Sequence, residues 1–203
     1  LFPRRTVELD RANLPNFNPN SPGDAALHEV RNRIISDQAE PGSTFKIVVV
    51  AAGLNENKYD LDDLINCENG KFWYAGRPLH DDHPAGLLTV ERVISKSSNI
   101  GAAKIAIELG KEKLHHYMRQ FGFGEKTGIL LPWEIDGKVH HPKRWTGISI
   151  TRVPMGHEVA CTSLQMVMAM SAIANDGVLM RPELVDRFVD QDGEIAARFE
   201  PQA

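Results

Sequence analysis

The chain has 203 residues, a formal net charge of -4, and 42% hydrophobic against 25% charged residues. That is the balance of an ordinary globular protein, and with no basic run longer than a pair it argues against nucleic acid as the main partner. Cys67 and Cys161 are too few and too far apart for a disulfide framework, and no stretch reaches the roughly 18 apolar residues of a membrane span.

Residues 1 to 24 are rich in Pro, Asn and Arg and read as an atypical N-terminal segment and loop, with a short strand expected within "RTVELD". Residues 25 to 36 fit one or two helical turns. A buried helix is predicted over 43 to 54, with Gly42 ahead of it and "GLNEN" at its end. Residues 55 to 87 are rich in Gly, Asn and Asp and predict a long loop or a small hairpin.

Thr89 suits an N-cap and Glu91 a first turn, so "LTVERVISKSSNIGAAKIAIELG" reads as a helix that breaks at "SSNIG" and resumes to Gly110. Leu114, Tyr117, Met118 and Phe121 recur at helical spacing. Residues 122 to 161 read mostly as loop. Thr162 and Gln165 form a capping box for a helix ending at Gly177, with Met166, Met168 and Met170 as core filler. Asp192-Gly193 marks a hairpin between two terminal strands. The expected organisation is a helical subdomain over 25 to 177 and a strand hairpin over 178 to 203.

One placement breaks a local rule. Lys46 lies in the first turn of an apolar helix, where the macrodipole is already positive. Ser43 and Lys46 stand at i and i+3 and share one helix face. A serine hydroxyl is a weak nucleophile until a base takes its proton, and a lysine can be that base when burial lowers its pKa. Adjacent backbone N–H groups can hold an oxyanion. The same residues also fit an N-cap serine beside a snorkelling lysine. Ser97, Ser98 and Asn99 sit at the helix break. There a serine can relay a proton and an asparagine can orient a substrate amide, although an ordinary polar turn has the same composition.

Together, "EPGSTFK" and "SKSSNIG" resemble the serine penicillin-recognising enzymes, which pair S-x-x-K with S-x-N and K-T-G motifs. "NPNSPGDA", "HDDHPAGLLTVERVISKSSNIGAAKIA", "FGFGEKTGILLPWE" and "TSLQMVMAMSAIANDGVLMRPELV" extend the resemblance over roughly residues 12 to 190, in the order found in class B penicillin-binding proteins, the monofunctional peptidoglycan transpeptidases. The "EPGSTFK" form leans towards their division and sporulation branch.

The resemblance implies a mixed α/β, helix-rich penicillin-binding protein transpeptidase fold, related to the serine β-lactamases. It implies Ser43 as the nucleophile towards D-Ala-D-Ala, Lys46 as general base, and Ser97 as proton relay. Asn99, with Thr44 and Ser98, would contact the substrate. The implied partners are the peptidoglycan stem peptide and β-lactams. The parent protein would be anchored in the membrane, face the periplasm and work with a glycosyltransferase, with no cofactor and no metal.

In this reading Lys126-Thr127-Gly128 is a decoy, and the chain ends before the active-site K-T-G strand. The piece is therefore expected to be structurally and catalytically incomplete, with a sheet edge that pairs with another copy or swaps. The first residue is not Met and the start is not signal-like, which also suggests an excised piece. A serine β-lactamase, a β-lactam sensor and a non-catalytic fragment remain rivals. His80, Asp81, Asp82 and His83, and the pairs His115-His116 and His140-His141, lack the convergent spacing of a zinc site and read as polar loop.

Overall fold

The computed structural model describes residues 32–203. The expected N-terminal loop, the "RTVELD" strand and most of the first helical turns lie outside the described residues. Helix α1, Arg33–Ser36, opens with Asn32 as N-cap, whose side chain accepts from the Ile34 amide. A 3-10 turn, Gly42–Phe45, runs directly into α2, Lys46–Asn55.

Four short strands follow. Strands β1, Leu64–Asn66, and β4, Leu87–Thr89, pair antiparallel, with Ile65 opposite Leu88. Between them β2, Lys71–Tyr74, and β3, Arg77–His80, form a hairpin. Its two-residue turn is Ala75-Gly76, both at positive φ, as a mirror-image turn demands. The polar segment expected as loop or hairpin is thus a hairpin nested inside a second strand pair.

Helix α3, Val90–Ser95, is capped by Thr89, whose hydroxyl accepts from the Arg92 amide. It ends at Ser95, and two residues further on Ser97 adopts a left-handed φ of 55°. Ser98 then caps α4, Asn99–Leu109, so the helix break read from the sequence is present. Gly110 closes α4 and opens α5, Lys111–Gln120, which buries Leu114, Tyr117 and Met118.

Residues 122 to 161 are less featureless than expected. They hold α6, Ser149–Arg152, and a small antiparallel pair, β5, Lys138–Val139, with β6, Val159–Ala160. Helix α7, Ser163–Ala174, starts with the full Thr162/Gln165 capping box. Strands β7, Arg187–Val189, and β8, Ile195–Arg198, form the terminal hairpin. Its turn is pinned by Asp190 Oδ1, which accepts from the Asp192 and Glu194 amides.

The core is built around α4, which packs on α2, α5 and α6. Val48, Val49, Ala52, Ile100, Ile105, Ala106 and Leu114 are fully enclosed. Each large apolar side chain buried this way contributes roughly 1.5–3 kcal/mol relative to exposure. Phe45, at the mouth of α2, meets Phe123 edge-to-face with centroids 5.1 Å apart. The effect is to anchor the Gly42–Phe45 turn against the body.

One expectation about α7 needs correction. Met166 packs against the core, but Met170 is 37% exposed and lies with Val167 and Ile173 on the outer face. An apolar helix with two-sided hydrophobicity does not declare which stripe faces inward. Among the described residues no helix is long and apolar enough to cross a membrane.

Candidate active site

Ser43 lies in the 3-10 turn and Lys46 opens the helix behind it. In a 3-10 turn residues i and i+3 eclipse one another, so the two side chains stack along one line. Ser43 is exposed, whereas Lys46 is only 2% exposed. Lys46 Nζ lies 3.1 Å from Ser43 Oγ, 2.6 Å from the Ser97 carbonyl oxygen, 2.9 Å from Ser97 Oγ and 2.7 Å from Asn99 Oδ1. Ser43, Lys46, Ser97 and Asn99, chosen from two separate stretches of sequence, therefore converge on one nitrogen.

The chemistry of that nitrogen follows from its partners. The Ser97 carbonyl and Asn99 Oδ1 can only accept hydrogen bonds. Asn99 cannot turn its amide over, because its Nδ2 donates to the His80 carbonyl at 2.9 Å. A neutral amine donates to those two acceptors and keeps its lone pair for a serine hydroxyl. Burial pushes the Lys46 ammonium pKa below its ordinary value, while the Asp81 and Asp82 carboxylates pull in the other direction. Desolvation, which penalises the charged form, outweighs the two charges.

The turn carrying Ser43 is held from behind. Gly156, at φ 77°, sits so close that a Cβ there would lie 2.2 Å from the Gly42 carbonyl oxygen. Glu40 reaches the same loop, with His157 Nδ1 at 2.8 Å and the Glu158 amide donating at 3.0 Å. Thr44 is exposed beside Ser43, but its hydroxyl donates to the Pro41 carbonyl at 2.7 Å and serves the turn.

Ser98, expected to touch substrate, is turned into the protein. It is 3% exposed, donates to Asp81 Oδ2 at 2.7 Å and accepts from the Gly101 amide at 2.9 Å. Its hydroxyl is spent on capping α4. Asp81, taken from sequence as a polar loop residue, sits at the head of that helix. The available signal was an acidic residue directly following a strand, with an N-capping serine at the start of a later helix.

The K-T-G triplet at 126 to 128 lies in no strand. The Thr127 and Gly128 amides donate to the Glu134 carboxylate, and Arg181 Nε donates to the Gly128 carbonyl. Glu134 is buried and fixes a turn.

An exposed serine hydroxyl stacked on a buried lysine, with a second serine and an asparagine closing the same nitrogen, is the constellation of the serine–lysine acyl-transfer class. The chain belongs to the penicillin-binding protein family: the model of the penicillin binding protein transpeptidase domain matches residues 5–203. It is 33% identical over 177 residues to the probable peptidoglycan D,D-transpeptidase PenA of Neisseria gonorrhoeae, covering 87% of this chain and 30% of that protein. It is 32% identical over 198 residues to stage V sporulation protein D of Bacillus subtilis, covering 93% of this chain and again 30% of the relative. Among solved structures it is similar to penicillin binding protein 3 of Mycobacterium tuberculosis complexed with ampicillin, with a TM-score of 0.76 at 32% identity, over 84% of this chain and 38% of that one. The chain thus spans about a third of the length of these relatives.

Proposed function

We propose that the protein containing this chain is a peptidoglycan D,D-transpeptidase that works through a Ser43 acyl-enzyme and is blocked covalently by β-lactams. The observation that carries the proposal is the 3.1 Å approach of buried Lys46 Nζ to Ser43 Oγ, together with family membership. Ser43 Oγ attacks the carbonyl carbon of the penultimate D-Ala, and its proton passes to the Lys46 lone pair. The C–N bond to the terminal D-Ala then breaks, and Ser97 hands that leaving amine its proton while taking up the one held on Lys46, 2.9 Å away. An amine of a second stem peptide attacks the ester, forms the cross-link and returns the proton to Ser43.

Asn99, held on Lys46, keeps the base oriented and offers its amide edge to the substrate amide. Thr44 flanks the entry. The likeness to peptidoglycan transpeptidases supports the reading that this chemistry takes place outside the cytoplasm. A membrane anchor, a periplasmic orientation and a glycosyltransferase partner belong to the same proposal, as does a division or sporulation role, which the likeness to stage V sporulation protein D supports.

The test is intact-mass analysis of the full-length protein after exposure to a penicillin, with a D-Ala-D-Ala stem peptide assayed in parallel. The expected result is one adduct that persists for hours, and release of D-Ala with formation of a cross-linked product. Rapid loss of the adduct would indicate a serine β-lactamase instead. A protein that forms no adduct and releases no D-Ala would be an inert member of the family.

A further inference from the structure

The S-x-N turn is held in place by a residue outside the S-x-x-K, S-x-N and K-T-G triplets. Asp81 follows directly on β3 and is only 8% exposed. Its Oδ1 accepts from the Asn99 amide at 2.5 Å and the Ile100 amide at 2.9 Å, and its Oδ2 accepts from Ser98 Oγ at 2.7 Å. Ser98 Oγ in turn takes the Gly101 amide. The first N–H groups of a helix have no partner within it, and a carboxylate at that end is also favoured by the helix dipole. Here three of those amides and the capping hydroxyl converge on Asp81 and Ser98. Among the described residues no cation hydrogen-bonds to Asp81, and the helix start favours its charge.

The same strand end controls the side chain of Asn99. The His80 carbonyl, one residue before Asp81, accepts from Asn99 Nδ2 and so turns Oδ1 towards Lys46. Backbone and side chain of Asn99 are thus both gripped by residues 80 and 81. Ser97, two residues earlier, is kept at a positive φ between this anchor and α3, to which the Ser97 and Ser98 amides donate through the Ile94 and Val93 carbonyls.

We propose that Asp81 is a positioning residue for acylation: its carboxylate locks the start of α4 in the placement that holds Ser97 and Asn99 against Lys46. The inference rests on the transpeptidase reading and adds to it a group that touches neither substrate nor the reacting atoms. The Ser97 carbonyl and Asn99 Oδ1 stand 2.6 and 2.7 Å from Nζ, so a shift of α4 by about 1 Å takes both beyond hydrogen-bond distance. Misplacements of that size cost on the order of 100-fold in rate.

The experiment uses the full-length protein, wild type and variants, with excess fluorescent penicillin. Two quantities are read: the rate constant of labelling and the fraction of protein labelled at completion. A purely structural role lowers the labelled fraction and leaves the rate constant of the surviving molecules unchanged. A positioning role lowers the rate constant at full labelling. Asp81→Ala is expected to label completely but about 100-fold more slowly.

Asp81→Asn is expected within about tenfold of wild type, because one amide oxygen can accept both helix amides and the NH2 can donate to Ser98 Oγ. If Asp81→Ala does not fold, Asp81→Glu carries the test. It keeps the charge but moves the carboxylate by one methylene, and is expected to be at least about tenfold slower. Wild-type rate constants in the Ala and Glu variants would overturn the inference, as would an Asn variant as slow as Ala. Failure of the wild type itself to label would overturn the transpeptidase reading instead.

Discussion

Lys46 Nζ and the Ser97 carbonyl oxygen lie 2.6 Å apart, although 51 residues separate them in the chain. A backbone carbonyl cannot be protonated or rotated away, so it claims one N–H of the lysine permanently. Asn99 claims a second. What remains on the nitrogen faces two serine hydroxyls, and it is a lone pair only when Lys46 is neutral.

Lys46→Arg is therefore expected to reduce β-lactam acylation by at least about 1000-fold. A guanidinium stays protonated at any working pH and cannot serve as a base. The check is the rate of adduct formation by mass spectrometry, with a thermal melt to show that the variant is folded.

Acylation should rise with pH, with a midpoint below 10.5, the ordinary lysine value, because burial lowers the Lys46 pKa. Asp82 pulls that pKa upward, so Asp82→Asn should shift the midpoint to lower pH. The sign for stability is the same. The unfolded chain holds the lysine proton at pH values where the folded chain has released it, so the cost of burying Lys46 is relieved as pH rises through that window. A rate profile between pH 6 and about 10.5 tests both statements, and a midpoint that rises in Asp82→Asn would contradict them.

Ser98→Ala should lower stability by about 1 kcal/mol, the usual loss of an N-cap, with more if the Asp81 contact is strained by the change. β-Lactam affinity before acylation should not change, because Ser98 faces Asp81 and the helix rather than the cleft. Equilibrium unfolding and saturation kinetics of acylation separate the two effects.

Gly156→Ala is expected to slow acylation by at least about tenfold, because the turn carrying Ser43 would have to move. A methyl group would stand 2.2 Å from the Gly42 carbonyl oxygen, and its backbone would be strained at φ 77°. Parallel melting and acylation measurements should show both losses. Acylation at the wild-type rate would mean that the loop at 156 yields without moving Ser43.

Much of this site was legible because it is local. Ser43 and Lys46 are three residues apart, and the Thr89, Ser98 and Thr162 caps each act within three residues. Helix boundaries followed from them. What escaped is non-local or two-faced. Asp81 acquires its task only when the β2–β3 hairpin delivers it to the start of α4, and the turn chemistry of "HDDH" gives no hint of that. Ser98 and Asn99 are equally polar, and only folding decides which is buried. Met170 is as apolar as Met166, but it lies on the outer face of α7.

Peptide mapping of the full-length protein after labelling with a penicillin tests the central claim most directly. The geometry predicts a single acylated residue, Ser43, with loss of all label in Ser43→Ala. A label on Ser97 or Ser98, or undiminished labelling of the Ser43→Ala variant, would contradict the assignment of Ser43 as the nucleophile and of Lys46 as its base.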